Sequence, residues 1–202
     1  MTPRLRKFAL TAHVTFSVGW LGAVVAYLAL AIFGMNSQDV QLVRAVYLAM
    51  ELIGWFVIVP LSIASLLTGI IQSLGTPWGL FRHYWVLAKL LLTIGGTIIL
   101  VVHMKTVSHV ANIAGETTFS LAGLDQQRIQ LVIHPLGGLL VLLVATVLAV
   151  YKPWGKISWG RLIERIKALK SVRPQSYILL GFIVLFLLFI AWHLIGGRSP
   201  GS

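Results

Sequence analysis

The stretch whose reading decides the fold is His83–His103, HYWVLAKLLLTIGGTIILVVH. Between its two histidines only Lys89 is charged, and the run is long enough to cross a hydrocarbon core of ~30 Å at ~1.5 Å per residue. A helix is the form that satisfies its own backbone in lipid, so the stretch predicts a membrane helix. Lys89, Gly96 and His103 recur every seven residues and share one face, with Thr93 and Leu100 between them. Along that face Lys89 and His103 stand ~21 Å apart, too far to touch one small ligand.

The remainder of the chain reads in the same solvent. Its 202 residues are 58% hydrophobic and 10% charged, with a mean hydropathy of +0.92, which is a composition for lipid rather than water. Apolar runs predict spans at about 8–33, 45–74, 85–104, 131–150 and 177–195. The expectation is an all-α integral membrane protein, a five-helix transmembrane bundle of a four-helix core plus one, forming a single domain over 1–202. Short alternating segments of the kind that build a β-barrel are missing from the sequence. The first run far exceeds the ~7–15 residues of a signal-peptide core and is expected to persist as a mature helix. Pro60 inside the second span predicts a kink near mid-membrane.

The net charge of +11 invites a nucleic-acid reading until its placement is seen. Arg4, Arg6 and Lys7 precede the first span, Arg82 lies between the second and third, and a basic run from Lys152 to Arg173 follows the fourth. The opposite side carries only Arg44, Lys105, Arg128 and Arg198. This asymmetry follows the positive-inside rule, so the charge is topological, nucleic acid is not a partner, and the amino terminus is cytoplasmic with the carboxy terminus external. Residues 105 to about 128 read as the longest external loop. In WGRLIERIKALK, Trp159, Leu162, Ile163, Ile166 and Leu169 recur at helical spacing while Arg161, Glu164, Arg165, Lys167 and Lys170 face away. That pattern predicts an amphipathic helix at about 157–171 on the anionic inner surface, a partner-binding helix being the alternative.

With no cysteine, disulfides, thiolate ligands, iron–sulfur clusters and cysteine nucleophiles are excluded. No nucleophile–base–orienter set for a hydrolase and no phosphate-loop spacing is visible. What stands out are ionisable residues inside spans, each costing ~2.5–3.5 kcal/mol at a helix centre. They form two layers. His13 and Lys89 lie toward the cytoplasmic side, and His103, His134, His193 and Glu51 toward the external side. Histidine with glycine a turn or so away suits a flat macrocycle, the imidazole binding iron and the missing side chain leaving room. Gly96, Gly137 and Gly138 stand in that relation to His103 and His134. Ordinary small-residue helix packing is the better reading for any one of those glycines taken singly. His103, His134 and His193, with Glu51, are thus candidate ligands of haem iron or another metal. Alternatively Glu51 pairs with Arg44 and Lys89 snorkels to the inner surface. His83 and His109 read as wet, and Trp20 and Trp55 as members of the aromatic belt.

These residues carry a resemblance. The runs WVLAKLLLT and VVH, with LVIHPLGGLLVLLVATVLAVYKPWG, resemble a bacterial family of integral membrane proteins of unknown function. More distantly, His13, the lysine of WVLAK (Lys89), His103 and the Lys152–Pro153 end of the fourth span are similar to the oxygen-independent membrane protoporphyrinogen oxidases, which bind haem b. That resemblance implies haem b as cofactor, the bacterial cytoplasmic membrane as location, and His13 and Lys89 as the catalytic residues. VGWLG is similar to copper-resistance D membrane proteins, but four Met and no Cys make a poor copper set. The fifth span, the surface helix, His134 and His193 depart from the oxidase pattern.

Three functions follow as expectations. The first is a haem-b-binding protein passing electrons within the bundle, with His103 and either His134 or His193 as axial ligands. The second is a protoporphyrinogen-oxidase-like enzyme working through Lys89 and His13 on a porphyrin or quinone. The third is a non-redox transporter, metal-handling or assembly protein. The bilayer is the partner common to all three, and homo-oligomerisation stays open.

Overall fold

A hydroxyl and a carboxylate start the first two helices. Thr2 accepts from the Leu5 N–H at 3.4 Å with Pro3 at the first helical position, and Asp39 accepts from Gln41 and Leu42 N–H at 3.0 and 3.2 Å. The computed structural model describes residues 1–76, 79–116, 119–120, 123–153 and 155. Four helices in it are long and apolar enough to cross a membrane: the first, Pro3–Asn36; the second, Val40–Leu74; the third, Tyr84–Gly115; and the fourth, Asp125–Tyr151. Among the described residues there is no strand. This is an all-helical, multi-pass membrane architecture. The expected fifth span, the surface helix at about 157–171 and His193 lie outside the described residues, as does part of the proposed single domain. The residues Met1–Pro153 form one compact unit.

The observed helices overrun the spans read from hydropathy, most of all the third. Residues 105–115, expected as loop, are helical because Val107, Val110, Ala111 and Ala114 recur on one face and bury there, while Lys105, His109 and Asn112 stay exposed. The fourth helix likewise begins at Asp125, its first turns burying Arg128 and Leu131. At Pro60 the helix is irregular. It follows a π-helical turn, Gly54–Ile58, in which the Val59 N–H bonds to the Gly54 carbonyl. Proline lacks an N–H and its ring crowds the carbonyl four residues back, so the widened turn takes up that misfit. The turn also makes room. A side chain on Gly54 would meet Met104 Cε at 2.5 Å, and Trp55 Nε1 donates to Ser108 Oγ at 3.0 Å.

Packing follows chain order around a square. The first helix packs on the second and fourth, and the third packs on the same two, which sets the first and third opposite each other across the interior. The apolar core lies away from the end at which the first helix begins, here the near end. Trp20, Val24, Tyr27 and Ala31 of the first helix meet Val43, Val46, Tyr47 and Met50 of the second and Met104, Val107 and Val110 of the third. Trp20, expected at the interface, is 4% exposed and part of this core. Outward-facing Phe8, Val18, Phe56, Leu67, Ile98 and Val147 are compatible with lipid contact.

Two arginines close the far end. Arg128, buried, donates through Nη2 to the carbonyls of Gly34 at 3.0 Å, Met35 at 2.8 Å and Ser37 at 3.4 Å. Arg44 donates to the Gly115 carbonyl at 2.7 Å rather than pairing with Glu51. Each guanidinium satisfies carbonyls left over where a helix ends and sits at the negative end of its dipole. Arg128→Leu is expected to destabilise the bundle by about 2–3 kcal/mol, the range for hydrogen bonds to a charged group. Its melting temperature in detergent should fall further than that of Arg44→Leu. Equal effects would show that burial of Arg128 adds nothing.

Candidate functional site

The near half of the bundle is built from hydroxyls and small residues. Ser62 and Ser65 of the second helix and His13 of the first are buried there, with Thr68 and Gly69 beside them. The Ser17 and Ser65 hydroxyls lie 2.8 Å apart and tie the first helix to the second. Into this space the third helix sends Lys89, whose Nζ stands 3.1 Å from His13 Nε2. The two residues come from helices on opposite corners of the square, so their contact crosses the bundle interior.

The protonation of the ring follows from its partners. His13 Nδ1 lies 3.1 Å from the Ser65 carbonyl oxygen and 3.3 Å from Thr68 Oγ1. A carbonyl only accepts, so Nδ1 carries the hydrogen and donates it. Nε2 then holds the lone pair and accepts from the Lys89 ammonium. Among the described residues His13 is the one hydrogen-bond partner of that ammonium, which leaves its other N–H donors unused. Thr93 and Thr97 turn back to the carbonyls of Lys89 and Thr93 at 2.8 and 2.9 Å and do not compete for it. Lys89 therefore turns inward instead of snorkelling, because an acceptor waits inside.

In the other half, His103 of the third helix and His134 of the fourth are both buried. Their rings stack with centroids 4.2 Å apart and planes 19° from parallel. His134 Nδ1 donates to the Gln130 carbonyl at 2.8 Å, one turn back, which places its lone pair on Nε2, the form that ligates iron. That chemistry fits one axial imidazole. It does not fit a haem clamped between His103 and His134, because rings in face contact leave no gap for a macrocycle. A third candidate ligand, His193, lies outside the described residues. Among the described residues no group of three or more His, Asp or Glu side chains gathers to hold a metal ion, and the half-buried Glu51 has no side-chain partner there.

The glycines divide in use. A Cβ on Gly96 would touch Val141 at 3.7 Å, an ordinary contact between the third and fourth helices. Around Gly138, one turn beyond His134 on the same face, there is open space, and Gly137 beside it is partly buried. His83, expected to be wet, is buried at the start of the third helix, whereas His109 is exposed on its far turns.

Ser65, Thr68 and Gly69 were not foreseen. Their trace in the sequence is SIASLLTGI, small or hydroxyl residues three and four apart, which reads equally as close helix packing. Compared with family models, characterised proteins and solved structures, the chain matches none.

The pair makes an asymmetric prediction. Lys89→Met removes an ammonium from an apolar setting and fills its place, so stability should change by no more than about 1 kcal/mol. His13→Leu leaves the ammonium without its acceptor and should cost about 2–3 kcal/mol. Unfolding in detergent would rank them, and the opposite order would mean that Lys89 is not held by His13.

Proposed function

We propose that this chain is a redox protein of the bacterial cytoplasmic membrane, with its amino terminus inside. In this reading the His13–Lys89 pair receives a lipid-soluble substrate of the porphyrinogen or quinone class. The observation that carries the reading is the Lys89 ammonium in the bundle interior with a neutral imidazole as its one partner among the described residues. An intramembrane charge without a counter-ion calls for an anionic or strongly polar ligand, and a lysine is a point charge suited to a propionate or a quinone oxygen. The imidazole beside it can accept at Nε2 the proton of a bound substrate whose electrons leave to a separate one-electron acceptor of the haem class, so the two residues divide the work. Lys89 orients the ligand, and His13 takes the proton.

His134 favours a second component. Its Nδ1 bond to Gln130 and the space clear of described atoms at Gly138 suit one axial ligand of haem b, with His193 as the second ligand and a metal ion other than haem as the alternative. Haem, when bound, supplies one-electron chemistry. A protein that only passes electrons as a b-type cytochrome would need this half alone.

The test is the visible spectrum of detergent-purified protein, oxidised and then reduced with dithionite, followed by oxidation of porphyrinogen and of quinol in membranes. A sharp reduced band lost in His134→Ala and oxidation lost in Lys89→Met are expected. Porphyrinogen and quinol turnover unaffected by Lys89→Met would remove the pair from the chemistry. A colourless protein from haem-replete cells would sink the haem component.

A further inference from the structure

Why the second helix spends a glycine and two hydroxyl residues against one imidazole is a separate question from what the imidazole does. The Ser65 carbonyl stands 3.1 Å and Thr68 Oγ1 3.3 Å from His13 Nδ1. Thr68 in turn donates to the Ala64 carbonyl at 2.6 Å, so its hydroxyl proton is engaged and its oxygen faces the ring as an acceptor. Two acceptors thus converge on one ring nitrogen. Gly69 completes the arrangement. A Cβ built there would stand 3.0 Å from His13 Cε1, 3.4 Å from Nδ1 and 3.7 Å from Nε2, closer than a side chain and a ring edge normally pack. By contrast, a Cβ on Gly19 of the first helix would meet only the Leu61 methyls at 3.6 Å.

We infer that Ser65, Thr68 and Gly69 are positioning residues that fix His13 in its Nδ1-protonated tautomer and aim Nε2 at Lys89. An imidazole left to itself in a bundle interior can carry its proton on either nitrogen. In the other tautomer Nε2 would present a hydrogen to the ammonium, and the contact across the interior would turn from attraction to repulsion. Two acceptors on the Nδ1 side make that tautomer costly, because both would lose their donor in a setting where little water replaces it. Gly69 sets the distance. With a side chain at 69 the ring must give way by a few tenths of an ångström, which lengthens its bonds to the acceptors that choose its tautomer. The inference rests on the pair being the working site only for its importance. The tautomer itself is a property of the resting protein.

The test is nitrogen NMR of the full chain in lipid bilayers with labelled histidine and lysine, His13 being assigned from its loss in His13→Gln. In the wild type, Nδ1 is expected in the protonated range and Nε2 in the lone-pair range, with Nε2 coupled to the Lys89 ammonium. Gly69→Ala should weaken that coupling and shift the tautomer balance toward Nε2 protonation, while Gly19→Ala should leave both unchanged. A wild-type ring protonated on Nε2, or on both nitrogens, would overturn the inference even if no variant could be purified. So would a Gly69→Ala spectrum identical to the wild type. No substrate or haem is required, so a correct tautomer in a protein without redox activity would count against the proposed function and leave the positioning role standing.

Discussion

An ammonium group inside a membrane has to be answered by something, and in this chain the answer is an imidazole on the opposite corner of the bundle. Lys89 has a stem long enough to reach an interface, and Tyr84 and Trp85 lie a turn or so away. It turns inward because His13 offers a lone pair at 3.1 Å. That acceptor exists only because the far side of the same ring is held by the second helix. Three helices are thereby committed to one contact: the first supplies the ring, the second its tautomer, the third the charge. The hydroxyls and small residues around it follow, since bulky apolar side chains would neither satisfy the ring nor let the helices approach.

The other half of the bundle is held by different physics. There the first three helices interlock through Tyr27, Tyr47, Met50 and Met104, and the buried area is large and apolar. The Tyr27 hydroxyl finds no partner in this core, so removing it would relieve a buried polar group. Arg128 and Arg44 close the helix ends that lie beyond the core. A dry, well-filled half beside a polar half with small side chains is an uneven division of stability.

Hydropathy made the four described membrane helices legible because the spans are apolar over their whole middle. It failed at their ends, where one face stays buried and the other turns polar. Averaging over a window reads the mixture of Val107, Ala111 and Ala114 with Lys105, His109 and Asn112 as loop, although the buried face is continuous. The π turn was half visible. Pro60 announced a disturbance, but whether a helix kinks or widens depends on what fills the widened turn, and Met104 lies fifty residues or so further along. Of the site, Lys89 and His13 could be picked out because ionisable residues in spans are rare, and their depths could be matched from topology. Their contact could not, since it depends on which helices oppose each other in the square. Ser65, Thr68 and Gly69 stayed hidden because a hydroxyl or glycine in a membrane helix has a bland use at almost every position.

The two histidine layers look alike in sequence and are unlike in structure, and the difference bears on what each can do. His13 is bonded on both ring nitrogens, to acceptors of the second helix on one side and to the Lys89 cation on the other. His134 gives one nitrogen to its own helix, and its face is covered by His103 at 4.2 Å. Stacking helps to confine that ring in plane. The first ring is set between helices by partners on either side, whereas the second is held by its own helix and by the ring stacked on it.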